Sequence, residues 1–108
     1  MPDTRKYARF SLTVPVIFTW RDQRSQWRRS TGLTRDLSAA GVYLYSAKVP
    51  PVGVPIEFAA ILPPLEPTLP ALRLHGEARV MRVEKVTGKA AGNGFAVKNK
   101  EFVLQELD

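Results

Sequence analysis

The sequence predicts an all-β domain, a barrel or a sandwich, on three observations. Residues 10–20 alternate apolar and polar side chains over eleven positions, the mark of a half-buried strand. Five further strand-sized segments follow, each bounded by Gly, Pro, Asp, Ser or Asn. At most one short helix is expected, at the C-terminal end, and there is no internal repeat or second domain. A chain of 108 residues with 44% hydrophobic content is ordinary for one globular domain, large enough to bury a core without a disulfide or metal staple.

The first strand runs Phe10-Ser-Leu12-Thr-Val14-Pro-Val16-Ile-Phe18-Thr-Trp20, with every even position apolar. Pro15 has no N–H to give a neighbour, so this strand is expected at an edge or bulged near its middle. Residues 21–30 are polar and basic and read as a hairpin loop, with Trp27 a candidate to dock back on the body. Thr31–Leu37 makes the second strand. Asp36-Leu-Ser38-Ala-Ala-Gly41 then reads as a turn, because Asp and Ser side chains bond nearby backbone N–H groups.

Val42–Tyr45 is the third strand, with Val42 and Leu44 on one face and both tyrosines on the other. Pro50 and Pro51 lead to a fourth, Ile56–Leu62. Pro63, Pro64, Pro67 and Pro70 then impose a stiff, extended loop. Leu72–Glu84 is a long fifth strand whose apolar register switches at Val80–Met81, the signature of a bulge. Residues 87–93 form a loop and Gly94–Val97 the sixth strand. The tail from Lys100 is expected to make about two helical turns with Phe102, Val103 and Leu107 inward.

Catalysis is disfavoured by what the chain lacks. With no Cys and one His there is no cysteine nucleophile, no disulfide and no Cys- or His-clustered metal site. His75 falls between Leu74 and Gly76 with Arg73 and Glu77 on its own face, where a solvated or ion-paired histidine is the ordinary reading. Ser38 lacks the strand–turn–helix frame of a hydrolase nucleophile. The acids are scattered singly, and Gly88, Gly92 and Gly94 match no phosphate-loop or dinucleotide spacing. No apolar run reaches the roughly 18 residues of a membrane span, and the charged N-terminus has no apolar segment behind it, so neither membrane insertion nor a signal peptide is expected.

The charge of +6, from 16 Lys and Arg against 10 Asp and Glu, favours an anionic partner. Two features can hold an anion: Arg5-Lys-Tyr-Ala-Arg9 and the D-x-S-x-x-G turn at Asp36, Ser38 and Gly41. An Arg pair four apart arises about once by composition alone, and Arg24 with Arg28 is another; the turn pattern has a chance expectation of roughly one in a hundred. From chemistry alone the turn is equally well a plain hairpin connection. Arg24, Arg28 and Arg29 read as a solvated basic loop, and Tyr43 and Tyr45 as packing residues.

With RKYAR ahead of the first strand, RDLSAAGVYLYS around the turn, PVGVPIEF opening the fourth strand, LHGEARVMRVE as the fifth and GNGFAV as the sixth, the chain resembles the PilZ domain, the bacterial receptor module for cyclic di-GMP. The resemblance implies a six-stranded antiparallel β-barrel. It assigns residues 1–9 to a flexible ligand-clamping arm and 10–108 to the barrel. Arg5 and Arg9 match the family's two arginines, which clamp phosphates and cover guanine faces; a guanidinium bonds phosphate bidentately and stacks on flat bases. Asp36 matches the acid that accepts the guanine N–H donors, Ser38 the hydroxyl on the same ligand, and Gly41 the glycine that lets the ligand approach the backbone. Lys6, Tyr7, Ala8 and Arg35 are secondary ligand residues.

Two departures stand out. Many family members carry Gly where this chain has Ala40, which trims affinity, and Thr4 replaces an Arg that accompanies an intercalated ligand dimer, which leans toward a single bound ligand. The resemblance therefore implies a bacterial, cytoplasmic, non-enzymatic receptor that uses no cofactor beyond its cyclic di-GMP ligand and acts on a partner protein. A PilZ-like adaptor that binds no nucleotide is the first alternative. A basic barrel binding RNA or DNA is disfavoured, because the aromatic residues do not form a stacking platform.

Overall fold

The computed structural model describes residues 9–64, 66–86 and 92–107. Seven strands are present: β1 (Arg9–Ser11), β2 (Pro15–Arg21), β3 (Trp27–Ser38), β4 (Gly41–Ser46), β5 (Pro55–Leu62), β6 (Leu72–Val86) and β7 (Gly92–Glu106). All pairings are antiparallel. The order β3–β2–β5–β6–β7–β4 closes on itself through β3–β4 pairing, so six strands make a complete barrel. β1 pairs with the far end of β3, Arg9 opposite Ser38 and Ser11 opposite Asp36.

β1 and β2 are the two halves of the single long strand expected from the alternation. The break at Leu12–Val14 has a local cause. Pro15 begins β2, where its missing donor costs nothing, and β2 is then paired on both sides rather than lying at an edge. Thr34 of β3 fills the break: its N–H donates to Val14 O at 3.0 Å, its hydroxyl accepts from Val14 N–H at 2.9 Å, and the same hydroxyl donates to Leu12 O. A buried threonine is thereby satisfied on every side.

The even positions of the alternation face the core as expected. Val14, Val16, Phe18 and Trp20 are buried with Leu37, Val42, Leu44, Ile56, Phe58, Val80, Phe95 and Val97. Phe18 and Phe95 are fully enclosed and meet edge to face at 5.2 Å, and Phe18 stacks on Trp20 at 5.7 Å. The bulge expected at Val80–Met81 is present: the register shifts between Val80 and Arg82, and Met81 is thrown outward to 53% exposure.

Three expectations are corrected. Residues 21–30 are half strand, because β2 and β3 pair as far as Arg21 opposite Trp27 and leave only 22–26 as the connection. Asp22 organises that short loop, accepting the N–H groups of Arg24 (2.9 Å) and Gln26 (3.0 Å) and the Arg28 guanidinium (2.8 Å). Trp27 does not dock on the body; it is 57% exposed beneath the Arg21 guanidinium, 4.8 Å from its ring. The tail is not helical. Residues 100–106 continue β7 against the first half of β6, Glu101 opposite Glu77 through Glu106 opposite Leu72. A nine-residue helix is marginal alone, whereas β6 offers a full ladder of backbone partners. The loop expected over 87–93 lies outside the described residues except for its last two positions, which belong to β7.

Candidate functional site

A second bulge builds the site. Between Thr34 and Asp36 the β3–β4 register shifts, so that Thr34 opposes Leu44 while Asp36 opposes Tyr43. Thr34 and Leu37 both turn to the core, and the extra residue lets Arg35, Asp36 and Ser38 share the outer surface. Strict alternation would have turned Asp36 inward. Register across the barrel then sets Asp36, Tyr43, Ala96 and Arg82 in one row over β3, β4, β7 and β6, with Gly41 opposite Lys98 beside it.

Arg35, Asp36, Ser38, Ala40, Gly41, Tyr43, Arg82 and Lys98 border a cleft of about 230 Å³. Three of its four charged side chains are cationic, which suits an anionic ligand. Asp36 is mostly covered, its side chain 13% exposed, and its Oδ2 accepts from Arg35 Nε at 2.8 Å. The Arg35 guanidinium lies 3.8 Å from the centre of the Tyr43 ring, with Arg82 on the same ring at 6.0 Å. The hydrogen bond to Asp36 holds Arg35 yet more firmly protonated, with a further bond to Tyr45.

Tyr43 is the floor of this arrangement. It is buried although its residue points away from the core, because Arg35 covers its face, Tyr45 packs against it edge on at 5.5 Å, and its hydroxyl donates to Glu84. Burial first, and the Glu84 bond second, push its phenol up to about 12. Such a tyrosine is a neutral, fixed platform.

The turn at Ser38–Gly41 is closed by its own side chain. Ser38 Oγ accepts from Gly41 N–H and donates to Gly41 O, both at 3.2 Å. From β7, Asn99 Nδ2 donates to the carbonyls of Ser38 and Ala39, each at 3.2 Å, and Asn99 N–H donates to Ala40 O at 2.8 Å. Gly41 has an additional reason to be glycine: a Cβ there would lie 2.3 Å from the Val97 carbonyl oxygen. The space it leaves is taken by the neighbouring strand.

Of the residues singled out in the sequence, Arg35, Asp36, Ser38 and Gly41 are brought together on one cleft. Arg5, Lys6, Tyr7 and Ala8 lie outside the described residues. Arg9 is reached through its backbone, which β1 sets opposite Ser38, so the chain enters the barrel at the rim of this cleft. Arg24, Arg28 and Arg29 are exposed on the β2–β3 hairpin, as expected, but only Arg24 is in its loop; Arg28 and Arg29 belong to β3, and none of the three lines this cleft. Tyr43, Arg82, Lys98 and Asn99 are additions. Nothing in their local sequence marks them, since only the register of β4, β6 and β7 carries them to the turn.

No protein-family model matches the chain, and no curated protein sequence matches it. Its fold does have a solved counterpart: the structure of Bacillus subtilis Inhibitor of motility (MotI/DgrA) superposes with a TM-score of 0.69 at 19% identity. The match covers 94% of this chain and 45% of that one, so this chain spans less than half the length of the protein it resembles. At this identity the likeness is one of fold. The closed six-stranded antiparallel barrel is the PilZ-type architecture. Among the described residues no helix is long and apolar enough to cross a membrane, and no cluster of three or more His, Asp or Glu is placed to hold a metal ion.

Proposed function

We propose that this protein is a non-catalytic receptor for cyclic di-GMP that regulates a partner protein. The observation that carries the reading is that β1 pairing sets Arg9 opposite Ser38, so the chain enters the barrel at the edge of the cleft lined by Arg35, Asp36 and Ser38. On this reading Arg5 and Arg9 clamp the phosphates and stack on the guanines. Asp36 accepts guanine N–H donors, and Arg82 and Lys98 add positive potential on the far wall. The charge-assisted bonds are offset by the entropy of ordering the arm, and the ordered arm changes the surface presented to the partner. A nucleotide second messenger made in bacteria implies a bacterial cytoplasmic setting.

A second reading is favoured by one feature. Arg35 already engages Asp36 and covers Tyr43, so the acid expected to accept guanine N–H donors is paired without a ligand. That suits an adaptor that binds no nucleotide.

Calorimetric titration with cyclic di-GMP separates the two readings. It is run with linear pGpG and GTP as controls at about 150 mM salt, where the Debye length is about 8 Å. The receptor reading expects saturable, selective heat that Arg5→Ala, Arg9→Ala and Asp36→Ala abolish or greatly weaken and Arg28→Ala leaves intact. No heat from folded protein supports the adaptor. Equal losses from Arg5→Ala, Arg9→Ala and Arg28→Ala, with none from Asp36→Ala, would indicate nonspecific charge attraction.

A further inference from the structure

β7 is paired on both sides only through its first half. Its register with β4 ends at Gly41 opposite Lys98, and the last bond across is Asn99 N–H to Ala40 O. Beyond that point β4 turns away through the Ser38–Gly41 bend, while β7 continues for seven residues against β6 alone among the described residues. Residues 100–106 therefore present an edge of backbone donors and acceptors, and each of the seven is exposed. Edges of this length are normally kept short, bulged or studded with charge. This one has three consecutive apolar residues at its centre, Phe102 at 38%, Val103 at 46% and Leu104 at 53% exposure.

We propose that this edge is a homodimer interface in which β7 pairs antiparallel with β7 of a second copy. The segment Lys100-Glu-Phe-Val-Leu-Gln-Glu106 is complementary to itself about Val103. With the two-fold axis there, Val103 meets Val103 of the other copy once, on the axis, and Phe102 meets Leu104, Glu101 meets Gln105 and Lys100 meets Glu106, each of these three pairs occurring twice. A two-fold interface requires that kind of reciprocity. A one-residue slip toward the C-terminus sets Glu101 against Glu106 and forfeits it, so charge selects the register. Phe102 and Leu104 lie opposite Gly76 and Leu74, on the side of β6 that turns inward. Pairing them across the axis therefore extends the apolar surface of both barrels. Strand addition of this type supplies backbone bonds for affinity and leaves side chains to choose the partner. The interface uses no residue of the nucleotide cleft and stands whether or not the cleft binds a ligand.

Sedimentation velocity of the full chain over a wide concentration range tests this, with far-ultraviolet dichroism as the check on folding. The parent protein should pass from monomer to dimer as concentration rises, without nucleotide. Lys100→Glu and Glu106→Lys each replace two attractive pairs per dimer with two repulsive ones and should weaken dimerisation about tenfold. The double variant K100E/E106K restores both pairs and should recover the parent affinity to within about threefold. A parent that stays monomeric throughout overturns the proposal. So does a dimer that either single charge reversal leaves unchanged, or a double variant no better than the singles.

Discussion

Replacing Gly41 by alanine tests how closely β4 and β7 approach. The new Cβ would sit 2.3 Å from the Val97 carbonyl oxygen and 3.4 Å from its carbon, where ordinary contact begins at 3.4 Å. The obstacle is backbone, so relief requires the two strands to part by about 1 Å at the Gly41–Lys98 register. Overpacking of this kind costs about 1–3 kcal/mol, and weakening one ladder bond beside it adds about 1 kcal/mol. Gly41→Ala should therefore lose roughly 2–4 kcal/mol, a fall in melting temperature of about 8–16 °C for a domain of this size. Gly53 is the control. It has positive φ (+89°) but no atom within 4 Å of a built Cβ, so Gly53→Ala meets only backbone strain of about 1–2 kcal/mol. Calorimetric melting of the three proteins decides the matter. A Gly41→Ala protein that melts with the parent, or no lower than Gly53→Ala, refutes the close approach. The comparison also bears on ligand tests, because loss of binding in a Gly41 variant would report a displaced strand as much as a lost contact.

Three further outcomes are expected. Phe18→Ala removes a fully enclosed ring that touches both Trp20 and Phe95 and should cost about 3–5 kcal/mol in urea unfolding followed by tryptophan fluorescence. Tyr43 should ionise near 12, well above the ordinary 10.0, in an ultraviolet phenolate titration. Since its folded value is the raised one, its contribution to stability is complete below pH 10 and is lost as pH rises toward 12. All tyrosines titrating together near 10 would contradict its burial. Bonds from Gln26, Arg28 and Arg24 hold Asp22 below its ordinary 3.8, so the β2–β3 turn should loosen as pH falls through that lowered value. Amide exchange at Arg24 and Gln26 reads the change, and Asp22→Ala should give fast exchange at every pH.

Much of the barrel is legible in the chain because its strands advertise themselves locally. The even-position alternation from Val16 to Trp20 is the core face of β2, and the switch of apolar register in β6 marks the bulge at Met81. The tail misleads for an equally physical reason. Phe102, Val103 and Leu107 fit one side of a short helix, and only the presence of β6 as a ready ladder turns the segment through Glu106 into strand. Asp36, Ser38 and Gly41 are a local motif, so their place at the site is readable. Tyr43, Arg82, Lys98 and Asn99 are not, because nothing near them in sequence relates them to that motif.

The sequence by itself determined the all-β character, the core-facing segments of the strands and the turn that carries the candidate ligand residues, because alternation, proline placement and Asx–Ser turn chemistry act over a few neighbouring residues. Only the tertiary structure decided how those strands meet. The Thr34–Asp36 bulge turns Asp36 outward, β1 pairing brings Arg9 to Ser38, the four-strand row places Arg82 beside Tyr43, and the early end of β4 leaves the second half of β7 paired with β6 alone among the described residues. Each follows from inter-strand register, a relation between residues up to some sixty positions apart that no local pattern encodes.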